Sequence, residues 1–109
     1  MELSAYRFMW VVAMFDLPVD TREAKREYAR FRKHLLKDGF TRLQYSVYIR
    51  HSASEENAAV HIERVQRAVP PDGEVRVLTI TDKQFGRMRT YWGKMRKAPP
   101  AAPRQLEFF

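Results

Sequence analysis

The residue best placed to do chemistry is Asp16. It closes the apolar run Phe8-Met-Trp-Val-Val-Ala-Met-Phe15 and is followed at once by Leu17-Pro18. A run this short, rich in aromatic and β-branched residues, reads as a buried central strand. A carboxylate at the C-terminal end of such a strand is aimed by a rigid scaffold, where the core meets solvent. Pro18 holds Leu17 extended, which leaves Asp16 free to face the end of the sheet. One carboxylate is a poor site for magnesium, which takes several oxygens in octahedral geometry. Two copies of Asp16 brought together at a two-fold axis would make a better one. A cation held there would lower the pKa of a bound water and polarise a phosphodiester.

The second feature is positive charge. Arg22, Arg26, Arg30, Lys33 and Lys37 recur at intervals of four, four, three and four residues. On a helix they fall within a sector of about 80°. Ala24, Tyr28, Phe31 and Leu35 form the apolar stripe nearly opposite, and Glu23, Glu27 and Asp38 are displaced to the flank. Such a stripe reads as a rail of phosphate contacts, giving affinity without sequence information. The alternative is a charged outer face kept for solubility. Arg87 and Arg89 extend the cationic surface, because no acidic residue occurs from Lys83 through Leu106. Tyr91 and Trp92 lie in that stretch and either stack bases or pack internally. His34, His51 and His61 show no metal-ligand spacing and read as ordinary surface or helix-edge histidines. There is no glycine-rich phosphate loop and no G-x-S-x-G elbow.

The totals frame these features. A chain of 109 residues, 45% hydrophobic, is long enough for one domain with one modest core. A net charge of +7 and a pI near 10.1 favour a polyanionic partner. The absence of cysteine rules out a disulfide framework and a thiolate metal site, and fits a cytoplasmic setting. The apolar run is too short to span a bilayer. It also lacks a small-residue cleavage site, so a signal peptide and a membrane partner are not expected.

The elements that position Asp16 follow from the pattern. Asp20-Thr-Arg-Glu23 is a capping-box start with Asp20 as the expected acceptor. The helix it opens runs to Asp38-Gly39. Residues 40–44 and 45–50 read as two short strands, or as one bent pairing unit. Ser54 caps a helix over 55–69 with an inward stripe of Ala58, Ile62, Val65 and Val69. Pro70-Pro-Asp-Gly73 forces a turn into a fourth strand over 74–80, which is apolar on both faces. Asp82 is expected to cap a short helix carrying Phe85 and Met88. The order β-α-β-β-α-β is an α+β, ferredoxin-like arrangement with an antiparallel sheet. Two helices cover one face of a sheet, so the other face is expected to pack on a second copy. Residues 1–97 form the expected nucleic-acid-binding domain. Residues 98–109 comprise a stiff proline-rich linker, Ala98-Pro-Pro-Ala-Ala-Pro103, and an apolar end, Gln105-Leu-Glu-Phe-Phe109. That end is expected to add a strand to a neighbouring sheet edge.

Three segments resemble the CRISPR-associated protein 2 family of small spacer-acquisition endonucleases. They are Val11-Val-Ala-Met-Phe-Asp-Leu-Pro18, Phe31-Arg-Lys-His-Leu-Leu-Lys-Asp-Gly-Phe40 and Arg42-Leu-Gln-Tyr-Ser-Val-Tyr-Ile-Arg50. The resemblance runs from Trp10 to about Arg89. Thr81-Asp-Lys-Gln-Phe85 and the apolar tail are similar to members from single-effector (type II) systems. The resemblance implies a ferredoxin-like homodimer whose C-terminal strand crosses to the partner's sheet. It implies an endonuclease site, dependent on Mg2+ (or Mn2+), that cuts RNA or DNA and is built from both protomers. Asp16 matches the family's strand-end aspartate as catalytic and metal-binding residue. Arg42 and Tyr48 match catalytic positions near it, and Gln44 and Ser46 match the Q-x-S-V pattern. Many members carry a second Asp or a Tyr beside the aspartate. Here the neighbours are Phe15 and Leu17, which leaves one carboxylate per protomer. The resemblance also implies that the dimer is held between copies of the larger CRISPR integrase subunit and supports duplex DNA, with single-stranded RNA as a further substrate. A purely scaffolding member is one alternative. A non-catalytic ferredoxin-like RNA-binding module is another, although Tyr45-Ser-Val-Tyr-Ile-Arg50 does not match the aromatic signature of such modules.

Overall fold

Alternation along the first strand divides the protein into two apolar layers. The computed structural model describes residues 8–95, so residues 1–7 and 96–109 lie outside it. Strand β1 (Met9–Asp16) is central. It pairs antiparallel with β3 (Val47–Ser52) on one side and β4 (Glu74–Thr81) on the other. Strand β2 (Thr41–Gln44) completes the order β2-β3-β1-β4. Helices α1 (Arg22–Lys37) and α2 (Glu55–Ala68) connect the strands, and a short α3 (Asp82–Gly86) follows β4. This is the ferredoxin-like α+β arrangement that the element order implies.

Met9, Val11, Ala13 and Phe15 point to one side of β1 and form the main core with Phe31, Leu35, Ala58 and Val65 of the two long helices. Trp10 and Val12 point to the other side, against Ile49 and Phe85. The face expected to be open is therefore partly closed by the protein's own α3. Phe85 stacks on Trp10 with ring centroids 4.2 Å apart, and the Trp10 indole N–H donates to the Asp82 carboxylate at 2.8 Å. The rest of that face, with Met14, Leu43 and Val47, is half-buried, and Leu78 is exposed.

The caps depart by one residue from expectation at two places. Thr21, not Asp20, caps α1, its hydroxyl accepting from the Ala24 N–H at 3.0 Å. Thr81, not Asp82, caps α3 in a capping box with Gln84. In each case a threonine one position away has the extended backbone a cap requires. Ser54 caps α2 as its position suggests.

Helix α2 differs in which face it buries. Its buried residues are Ala58, His61, Val65 and Ala68; Ile62 packs half-buried on the core as expected, while Val69 is outside the helix and exposed. The cause is Asp38, which ends α1 nearly buried. His61 Nδ1 lies 2.8 Å from one Asp38 carboxylate oxygen, and Arg64 donates to the other at 2.7 Å. A carboxylate withdrawn from water needs such partners. An ionised carboxylate only accepts, so His61 carries its proton on Nδ1. His61 is thus a buried inter-helix contact rather than a surface histidine. Burial pushes the Asp38 carboxyl up, but the hydrogen bonds and charges of His61 and Arg64 outweigh it and hold the carboxyl below its usual range. The proline-rich linker and the apolar end expected to cross to a partner lie outside the described residues.

Candidate metal and nucleic-acid site at the end of the sheet

Asp16 continues the series Trp10, Val12, Met14. It therefore emerges at the end of β1 on the half-covered face, and it is exposed. The β4 register sets Glu74 directly opposite it. Side chains of directly opposed residues share a face, with Cβ atoms about 5 Å apart. Two carboxylates so placed repel each other. Arg76 meets Glu74 at 3.0 Å, but both side chains are largely exposed and the pair is weak. The sequence pattern starts the fourth strand at Glu74, but only the pairing register brings that residue to Asp16.

The turn before β4 fixes this corner. Gly73 has φ +92°, and a Cβ there would lie 2.8 Å from the Asp16 carbonyl oxygen and 2.8 Å from a Leu17 methyl. Only glycine lets the turn close against the strand end.

Arg42 and Tyr48 are not beside Asp16 within one protomer. They pair with each other across β2 and β3, and Tyr48 pairs with Ala13. Ala13 faces the helices, so Arg42 and Tyr48 belong to that side of the sheet and Asp16 to the other. Tyr48 is completely buried, and its hydroxyl accepts from Arg32 Nε at 2.8 Å. It anchors the core and Arg32, while Arg42 is exposed on the edge strand.

A cluster of hydroxyls lies close to the strand end on the helix side. The Phe15 N–H donates to the Ser46 carbonyl at 3.1 Å, which ties the β2–β3 turn to the last residues of β1. Tyr28 reaches this turn from α1. Burial first, then the neighbouring Tyr45 and Tyr48, push its phenol up, with Ser46 opposing. Tyr28 reads in the sequence as one member of a helix core stripe, which hides this role.

On α1, Arg22, Arg26, Lys33 and Lys37 are exposed. Arg30 is exposed too, but it is committed: it contacts Glu27 at 2.9 Å and donates to the Ala68 carbonyl at 3.1 Å, stapling α1 to the end of α2. Arg87 and Arg89 are exposed beyond α3, with Arg87 at its C-cap. His51 packs on the rings of Phe8 and Trp10.

Comparison with known proteins decides the family. The family model described as CRISPR associated protein Cas2 matches residues 9–88. The chain belongs to the Cas2 family. A relative from Parvibaculum lavamentivorans, named CRISPR-associated endoribonuclease Cas2, is 61% identical over 93% of this chain and 100% of its own. Another of that name, from Flavobacterium psychrophilum, is 45% identical over 99% of this chain and 94% of its own. A structure titled "Crystal structure of cas2" has the same fold, with a TM-score of 0.54, 23% identity, and coverage of 84% of this chain and 95% of that one.

Among the described residues of this Cas2 chain, no three His, Asp or Glu side chains could together hold a metal ion. The donor set at the strand end is two carboxylates, which suits a hard cation such as Mg2+ or Mn2+. The RNA-binding-module reading also requires stacking aromatics on the open face of the central strands. Here Trp10 occupies that face and is only 4% exposed, covered by Phe85.

Proposed function

We propose that this Cas2 protein is a homodimeric, divalent-cation-dependent endonuclease of the CRISPR adaptation machinery, with Asp16 and Glu74 as its metal-holding pair. The observation that supports this most is where Asp16 emerges: on the half-covered apolar face, at the strand end, directly opposite Glu74. Two copies packed through that face bring their Asp16 edges to a shared seam, so the ligands absent from one protomer come from the other. A bound Mg2+ or Mn2+ would lower the pKa of a water and polarise the scissile phosphodiester. Asp16 and Glu74 hold and orient the ion. Gly73 keeps the turn tight enough to hold that corner rigid. Arg22, Arg26, Lys33 and Lys37 neutralise flanking phosphates on α1. Arg42, exposed on the other side of the sheet, contacts a flanking phosphate rather than the same protomer's Asp16.

The relatives named endoribonuclease make RNA the first substrate to test. The exposed cationic rail on α1 also suits duplex DNA carried by a dimer held between copies of the larger integrase subunit. Cleavage of defined RNA and DNA, with and without Mg2+, in the parent, Asp16→Asn and Glu74→Gln proteins tests the reading. We expect metal-dependent cutting that Asp16→Asn abolishes and Glu74→Gln weakens. Cutting unchanged in Asp16→Asn removes the strand-end carboxylate from the reaction.

A further inference from the structure

We propose that the basic, proline-rich stretch 96–104 docks in an acidic-rimmed groove between the start of α1 and the turn before β4. The groove has a volume of about 290 Å³. Leu17, Tyr28, Pro70 and Pro71 contribute its apolar walls, and Asp20, Glu23, Glu27 and Asp72 its carboxylates. No lysine or arginine lines it, although the chain carries a net charge of +7. Glu27 is engaged by Arg30, and Asp72 accepts the Gly73 N–H at 2.8 Å. Asp20 and Glu23 remain at the rim. A surface of this sign repels nucleic acid, so the proposed nuclease role does not account for it.

The stretch Arg96-Lys-Ala-Pro-Pro-Ala-Ala-Pro-Arg104 has the complementary chemistry. It carries three cations and no acidic residue. Pro100 and Pro103 are three residues apart. In a polyproline II helix, with about three residues per turn, they fall on one face. Proline-rich segments bind aromatic- and proline-lined grooves because little conformational freedom is lost on docking. Flanking arginines add charge-assisted bonds to carboxylates. The groove supplies Tyr28, Pro70 and Pro71 for the prolines and the acidic rim for Arg96, Lys97 and Arg104.

Chain length bears on the contact. Helix α3 begins where β4 ends, opposite Met9, while the groove lies by Asp72 at the other end of the sheet. Strand β4 has 8 residues, a span of about 26 Å. Residues 88–93, which carry neither helix nor turn, reach about 20 Å when extended, so the groove engaged is the chain's own or that of a second copy.

The test uses the full chain, which has no cysteine of its own. Ala101→Cys is combined with Glu23→Cys on the groove rim, or with Glu55→Cys at the far end of α2 as control. Under mild oxidant we expect the Glu23 pair to form its disulfide about tenfold faster than the control pair, as docking raises effective concentration above that of a loose tether. The bond counts whether it forms within one chain or between two copies. Adding Arg96→Glu, Lys97→Glu and Arg104→Glu, all outside the packed core, must abolish the difference. Equal rates for the two pairs, no disulfide at Glu23, or a difference that survives the charge reversal would each overturn the proposal. None of these outcomes depends on nuclease activity.

Discussion

Replacing Gly73 with alanine tests how firmly the turn holds the strand end. At φ +92° an L-residue pays about 1–2 kcal/mol for the left-handed conformation alone. The added Cβ would also lie 2.8 Å from the Asp16 carbonyl oxygen, 2.8 Å from a Leu17 methyl and 3.0 Å from the Leu17 Cα. Two of those three atoms are backbone and cannot rotate away, so overpacking adds about 1–3 kcal/mol. The total is about 2–5 kcal/mol. At roughly 4–8 °C per kcal/mol for a domain of this size, Tm should fall by about 10 °C or more. Gly86→Ala is the control: a Cβ there meets nothing within 4 Å. Thermal and urea unfolding of both variants decide the matter. A Gly73→Ala protein within about 0.5 kcal/mol of the parent would refute the claim that this turn requires glycine.

Other outcomes follow from the same geometry. Asp38→Asn should cost about 2 kcal/mol by weakening bonds to His61 and Arg64. The folded Asp38 carboxyl titrates below its ordinary value of 3.8, so its stabilisation is fully present above that pH and lost as pH falls through the lowered value. The stability gap between parent and Asp38→Asn, measured by urea unfolding across pH, should therefore shrink below about pH 4; a gap that grows there contradicts the assignment. Arg26→Ala should lower the salt dependence of nucleic-acid binding by about one unit of slope and leave Tm unchanged. Arg30→Ala should also lower stability, by about 1 kcal/mol, because the Ala68 carbonyl loses its donor. Leu78→Glu, on the open apolar face, should shift the protein toward monomer in light scattering; a dimer of undiminished strength would place the interface elsewhere.

The fold was legible because its signals are local. An eight-residue apolar strand, two amphipathic helices and a Pro-Pro-Asp-Gly turn each announce themselves by period and breaker residues. What escaped depends on three-dimensional registration. Glu74 is an unremarkable acid until β4 pairs with β1. His61 sits on the edge of an α2 stripe drawn from apolar residues, and becomes an inner residue only because Asp38 ends α1 beneath it. The family resemblance implies a place for Tyr48 near Asp16, and within one protomer strand parity sets it on the opposite side of the sheet, in the core. The second face reads as open because the sequence announces the short helix after β4 but not that it folds back to lay Phe85 on Trp10.

The most direct test of the shared-seam account is anomalous scattering from crystals of the full-length protein grown with Mn2+. The account predicts a single strong peak between two protomers, within coordination distance of an Asp16 carboxylate from each and close to Glu74. A dimer whose Asp16 side chains are far apart, with manganese bound elsewhere or not at all, would contradict it.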